Sequence, residues 1–161
     1  MNIRNATHKD RTKIIRLVTT ILKEFGFEYS PDTSELDLQN INQEYFENGG
    51  AFLIMEDYSR KLIATGALKR IDKGYFKIRK MYVHKAYRGK GYGKEILISL
   101  LKVAQNKGAK SIVLETCNTM VAAQNLYKSF GFLTTDQKPV SPRCDIVMIK
   151  EVDNILLKTH S

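Results

Sequence analysis

The chain has 161 residues, enough for one ordinary domain that closes a full hydrophobic core. With 43% hydrophobic and 27% charged residues it has a globular composition, and no run approaches the roughly 18 apolar residues needed to cross a bilayer, which argues against a membrane protein. The formal charge of +9 attracts anions in general: nucleic acid, a membrane surface or a polyphosphorylated cofactor.

In chain order, residues 3–6 form the first strand candidate, and Thr7 with Asp10 resembles a capping box. Ile14, Ile15, Leu17, Val18, Ile21, Leu22 and Phe25 then recur at helical spacing, and Gly26 closes that helix. After a loop through Pro31, a second helix is expected over residues 34–47, with Leu38, Ile41 and Tyr45 on one face and Gly49-Gly50 ending it. Residues 51–56, 61–69 and 75–83 read as strands of an antiparallel meander, with turns at 57–60 and 71–74. The period then changes: Ile96, Leu97, Leu100, Leu101 and Ala104 line one side of a helix that Lys107 and Gly108 terminate. Residues 111–116 form a short buried strand, so 75–116 is a strand–helix–strand unit with an expected parallel crossover. A helix over 120–130, with Asn118 as its expected N-cap, stops at Gly131. Closing strands at 132–135 and 145–151 flank a loop with Pro139 and Pro142. This describes one domain over residues 1–152, with a polar tail over 153–161.

Positive charge is unevenly spread. Lys69, Arg70, Lys73, Lys77, Arg79, Lys80, Lys85, Arg88, Lys90 and Lys94 crowd one stretch, whereas acids nearly balance bases in the N-terminal third. A nucleic-acid partner is disfavoured, because aromatics do not alternate with the basic residues and no recognition-helix motif is present. The first residues carry no signal-peptide apolar core, and Cys117 and Cys144 have neither metal-site spacing nor disulfide-scaffold density. Buried or half-buried thiols in a cytoplasmic protein are expected. His8, His84 and His160 are scattered, so no metal is expected.

The segment Arg88-Gly89-Lys90-Gly91-Tyr92-Gly93-Lys94 joins a strand to the strongest amphipathic helix. A helix start offers unpaired N–H groups and a partial positive charge, and glycines let that backbone approach a phosphate. The nucleoside-triphosphate loop requires Gly-Lys-Ser/Thr, but Glu95 follows Lys94. The dinucleotide fingerprint counted from Gly89 and Gly91 requires a glycine where Lys94 stands. The pattern Arg/Gln-x-x-Gly-x-Gly/Ala is matched from Arg88 to Gly93. Three glycines would weaken a helix start for no structural return, so an anion cradle suited to a pyrophosphate is the better reading.

With Met81-Tyr82-Val83 before this loop and Leu126-Tyr127-Lys128-Ser129-Phe130-Gly131-Phe132 resembling Leu-Tyr-x-x-x-Gly-Phe, the chain resembles the GNAT superfamily of acetyl-CoA-dependent N-acetyltransferases from Ile3 to about Val152. The resemblance implies an α/β (α+β) fold: a central mixed, mostly antiparallel sheet with splayed middle strands, flanked by about four helices. It implies that acetyl-CoA inserts its pantetheine arm between those strands and pairs with the backbone of Met81, Tyr82 and Val83. The Val83 N–H then faces the thioester carbonyl, and the amides of Arg88, Gly89, Lys90, Gly91, Tyr92, Gly93 and Lys94 hold the pyrophosphate. The implied reaction is direct attack by a neutral amine without an acyl-enzyme, and relatives are often dimers.

Tyr127 is the candidate acid for the departing thiolate, with packing of its helix as the alternative role. Many relatives carry a glutamate where this chain has Lys77, which is protonated at neutral pH and a poor base. Glu115 is the remaining candidate base, with capping or pairing to a lysine as its alternatives. Strand alternation places Lys77, Arg79, Met81 and Val83 on one face, so that Lys77 and Arg79 either bind an anionic acceptor such as an amino acid or small metabolite or form an exposed basic strand edge. An acyl-CoA-binding sensor or a longer-chain acyltransferase of the same fold is the alternative function.

Overall fold

The computed structural model describes residues 1–152. The expected tail at 153–161 lies outside the described residues. Seven strands form one sheet in the order β1-β2-β3-β4-β5-β7-β6: β1 (Asn2–Asn5), β2 (Ala51–Glu56), β3 (Leu62–Asp72), β4 (Tyr75–Val83), β5 (Ser111–Thr116), β6 (Leu133–Thr134) and β7 (Ile146–Glu151). Every neighbouring pair is antiparallel except β4 and β5. That pair is parallel because the helix between them carries the chain back across the sheet.

Strand β2 is buried at all six positions because the sheet is covered on both sides. Phe52 and Ile54 enter a core with Ile14, Val18, Ile21 and Leu22 of α1 (Arg11–Glu24). Leu53 and Met55 enter the opposite core, with Ile96, Leu97 and Leu100 of α2 (Tyr92–Asn106) and with Tyr127 of α3 (Val121–Ser129). Asp10 caps the chain before α1 by accepting from the Thr7 amide at 2.8 Å, and Arg4 grips both of its oxygens at 2.8 Å. That grip holds the Asp10 carboxyl at about 2.

The expected helix over 34–47 is broken. Leu38, Ile41 and Tyr45 are buried as the periodicity predicts, but a 3-10 turn at Leu36–Gln39 and a π turn at Asn42–Phe46 replace a continuous helix. Asn40, with φ −146° and ψ 82°, separates them. Strand β3 runs to Asp72, beyond the expected end, and the turn tightens to Lys73-Gly74, where Gly74 has φ 76°. Asn118 is not the N-cap of α3: Met120 is, and the Asn118 amide donates to Asp145 Oδ1 at 2.8 Å. Among the described residues no helix is long and apolar enough to cross a membrane.

Candidate active site

The site begins where two neighbouring strands part. Strand β4 is nine residues long, yet its parallel ladder with β5 covers only Tyr75 to Ile78, opposite Ser111 to Leu114. Beyond Ile78 the strands diverge. On its other side β4 stays paired with β3, but with an irregularity: Thr65 faces Tyr82 and Ala67 faces Arg79, so the single residue Gly66 opposes both Lys80 and Met81. This is a β-bulge, which bends its strand and sharpens its twist. Lys80 occupies it with φ 53°. Gly66 leaves the room it needs, since a Cβ there would sit 2.4 Å from Ile96 Cγ2 and 2.9 Å from Met81 Sδ.

The bulge corrects the expected face assignment. An extra residue shifts alternation by one, so Met81 and Val83 pack on the α2 side, whereas Lys77 and Arg79 meet partners that line the opposite side of β4. Lys80 joins Arg79 there, and Tyr82 packs against the α1 core.

Val83 pairs with Ala64, and the His84 amide donates to Ile63 O at 2.8 Å. In an antiparallel ladder a bond flanking a pair in this way marks the pair as non-hydrogen-bonded. The Val83 N–H therefore points away from β3, toward the side from which β5 has departed. Its carbonyl accepts from Arg88 Nε at 2.9 Å. The Arg88 guanidinium also pairs with Glu24 and lies 5.6 Å from the Phe25 ring. The Arg88 side chain is thus committed to joining the loop to β4 and the end of α1, and its amide, expected among the pyrophosphate donors, faces Lys85 O at 3.4 Å.

The glycine loop has the backbone of an anion site. Gly89 and Gly91 have φ of 75° and 86°, and Gly91 stands at the N-cap of α2. A Cβ at either would meet nothing within 4 Å, so glycine is needed there for conformation and not for packing. Among the described residues none of the N–H groups from 89 to 94 donates to a protein acceptor. Six consecutive free donors at a helix start, with exposed Lys90 and Lys94 beside them, fit a diphosphate. Tyr87 braces the loop: its hydroxyl donates to Asp57 Oδ2 at 2.8 Å, and Lys90 Nζ lies 5.6 Å from its ring centre.

A cleft of about 550 Å³ runs through the gap between β4 and β5. Tyr127 lines it and is 6% exposed, edge-on to Phe132 at 5.9 Å. Its hydroxyl has no hydrogen-bond partner among the described residues, and burial pushes the phenol well above its ordinary value, so it stays protonated. Glu115 also lines the cleft, but Lys77 Nζ holds Oε2 at 2.6 Å while the Val140 and Ser141 amides donate to Oε1. Burial raises its carboxyl, yet Lys77 and those amides together bring it below the usual range. Such a carboxylate is a weak base that pins a loop.

Glu35, Lys80 and Arg143 also line the cleft, with Asp37 paired to Lys80, and the sequence assigned none of these four to the site. Arg143 forms a salt bridge with Glu35 and donates to Ser30 Oγ at 3.2 Å, tying the loop before β7 to the loop after α1. Lys80 Nζ lies 2.9 Å from Ser34 O and 3.3 Å from Asp37 Oδ1, and Arg79 donates to Ser34 O at 3.1 Å. The hydrogen-bond partners of the Arg143 guanidinium are more than a hundred residues away, at a separation of 108 for Glu35. No local pattern signals such a pairing. Cys117 is buried and Cys144 half-buried, both beside the cleft.

The profile of the Acetyltransferase (GNAT) family matches residues 15–132, more than half of the chain. The chain belongs to this family. Its GNAT relatives include an uncharacterized N-acetyltransferase of Schizosaccharomyces pombe, 27% identical over 135 residues that cover 83% of each chain. The fold matches a GNAT family acetyltransferase from Staphylococcus aureus Mu50 with a TM-score of 0.89, at 23% identity over 94% of this chain and 99% of that one. It also matches yncA of Salmonella typhimurium, solved with its cofactor acetyl-CoA, with a TM-score of 0.75 at 22% identity over 96% of this chain and 95% of that one. The protein is a GNAT acetyltransferase, an acyl-transferring enzyme. Among its described residues no group of three or more His, Cys, Asp or Glu could hold a metal ion.

Proposed function

We propose that the enzyme transfers an acetyl group from acetyl-CoA to the primary amine of a small acceptor by direct attack. The reading rests on one observation: the unpaired amides from 89 to 94 stand at one end of a gap into which Val83 turns its own free N–H. Acetyl-CoA supplies the activated thioester. The loop amides and the exposed Lys90 and Lys94 bind its diphosphate, and the backbone edge from Met81 to Val83, left without a partner strand on the β5 side, pairs with its pantetheine arm. The Val83 N–H faces the negative charge that develops on the carbonyl, a role worth roughly 3 kcal/mol of barrier for a well-placed donor. The Tyr127 hydroxyl, kept protonated by burial, gives its proton to the departing thiolate, and the resulting phenolate recovers a proton from the nitrogen that has been acylated. Glu115 and Lys77 neutralise each other, so we assign them to holding the cleft wall and leave the acceptor to enter as the neutral amine.

Lys77, Arg79, Lys80 and Arg143 stand in the wall against the carboxylates of Glu35, Asp37 and Glu115, a surplus of one positive charge. This supports an acceptor that carries an anion, such as an amino acid. The test is release of free thiol from acetyl-CoA with a panel of amines that do and do not bear a carboxylate. Faster release with the carboxylate-bearing amines is expected, and no release with any amine overturns the reading. Arg79→Ala should raise the acceptor's KM far more than that of acetyl-CoA; equal effects would discard the anionic acceptor alone.

A further inference from the structure

Lys80 is unfavourably placed on two counts, and neither is explained by packing. Its φ of 53° is a conformation that L residues other than asparagine and aspartate rarely adopt, and it occurs here inside a sheet. Its side chain is also 5% exposed, and removing an ammonium from water is unfavourable unless the charge is met. A glycine would accept the same backbone freely. Something specific to the lysine side chain must offset both penalties.

The contacts supply it. The ammonium donates to the Ser34 carbonyl at 2.9 Å and lies 3.3 Å from Asp37 Oδ1 and 3.8 Å from Glu35 Oε1. Asp37 Oδ1 is buried and takes no hydrogen bond among the described residues, so the ion pair is what compensates it. Asp37 is itself fixed through its other oxygen by the Tyr45 hydroxyl, and Tyr45 is fully buried. From the other direction, the Lys80 carbonyl accepts from Thr65 Oγ1 at 2.6 Å. The residue is therefore held at both its ends, by β3 and by the 3-10 turn at Leu36–Gln39 with the residues just before it.

The bulge is the point at which β4 leaves β5, and Val83 lies three residues beyond it. We propose that Lys80 is a positioning residue: clamped to Ser34 and Asp37, it holds the left-handed kink that opens the gap and sets the direction of the Val83 amide. The inference rests on the acetyl-CoA reading above, and it adds that aim and affinity have separate structural origins. The loop over 89–94 determines affinity. The Lys80 clamp determines aim.

The test uses the ¹⁵N-labelled protein, its Lys80→Met, Lys80→Arg, Lys80→Gly and Asp37→Asn variants, and two ligands. CoA lacks the carbonyl. Acetonyl-CoA, a thioether, carries a carbonyl that cannot be transferred. In the unaltered protein both ligands should shift the amide resonances from 89 to 94 alike, and acetonyl-CoA alone should move the Val83 amide proton downfield. Lys80→Met should keep the loop shifts and lose most of the Val83 displacement, while Lys80→Arg, which can still bridge Ser34 and Asp37, should retain it. Lys80→Gly should also lose it, because the backbone is then free but the clamp is gone. Full Val83 displacement in Lys80→Met or in Lys80→Gly overturns the proposal. If Lys80→Met does not fold, Asp37→Asn, which preserves the bond from Tyr45, decides by the same signal. Absent loop shifts with CoA in the unaltered protein would defeat the cofactor reading and this one with it, whereas intact loop shifts with an unmoved Val83 signal in that protein would defeat the aiming role alone.

Discussion

The two halves of β4 obey different rules although they are one strand. From Tyr75 to Ile78 it has a ladder on each side and regular alternation, with Phe76 and Ile78 buried in the α2 core; the register shift opposite Tyr75 and Phe76 puts its extra residue, Ile71, on β3 and leaves β4 in phase. From Arg79 to Val83 it pairs on one side only, carries a residue with positive φ, and buries charge. The first half contributes stability through apolar contact. The second gives up a ladder and accepts a bulge, and what it gains is a backbone edge that can pair with something other than protein. Irregular structure of this kind marks a site, because strain persists only where the surroundings hold it in place.

Substitutions in the two halves should therefore fail in different ways. Phe76→Ala, in the regular half at 2% exposure, should lower the unfolding free energy by about 3–5 kcal/mol in urea titrations and leave the CoA affinity of the folded protein intact. A comparable loss of affinity would erase the distinction between the halves. Tyr127→Phe, facing the open half, should do the reverse: kcat should fall about a hundredfold with no change in the melting midpoint, because its hydroxyl has no partner among the described residues. Unchanged turnover would assign Tyr127 to packing. Gly66→Ala strikes the boundary, forcing a methyl against Ile96 and Met81; a loss of about 1–3 kcal/mol is expected, and a neutral outcome would mean the bulge is pliable.

The smallest effect concerns Glu115, whose carboxyl is held below the usual range by Lys77 and two loop amides against the effect of burial. A group depressed on folding stabilises the native state above its unfolded value, about 4.3 for glutamate, and that contribution fades as pH falls through the folded value. The unaltered protein should thus exceed Glu115→Gln by about 1 kcal/mol near pH 7, with the gap closing below pH about 4. A gap that does not depend on pH would contradict the ionised pair.

Much of this was legible in the sequence. Ile96, Leu97, Leu100, Leu101 and Ala104 are all buried as their spacing requires, and the glycine pattern from Arg88 to Gly93 located the free amides. What escaped was set by contacts distant in sequence. Alternation through Lys77, Arg79, Met81 and Val83 looked regular because a bulge leaves no mark in composition, and Lys80 reads as one more polar residue. The wall formed by Glu35, Asp37 and Arg143 required two loops to meet across the sheet. The helix over 34–47 failed for a related reason: its apolar positions were correctly taken as buried, but tertiary ties at Asp37 and Tyr45 overrode helical continuity.

The most direct test of the account is calorimetric titration with CoA and, separately, with pantetheine, which has the arm but no diphosphate. Micromolar binding of CoA and far weaker binding of pantetheine are expected if the amides from 89 to 94 hold the diphosphate. No heat from CoA even at millimolar concentration, or equal affinity for the two ligands, would contradict it.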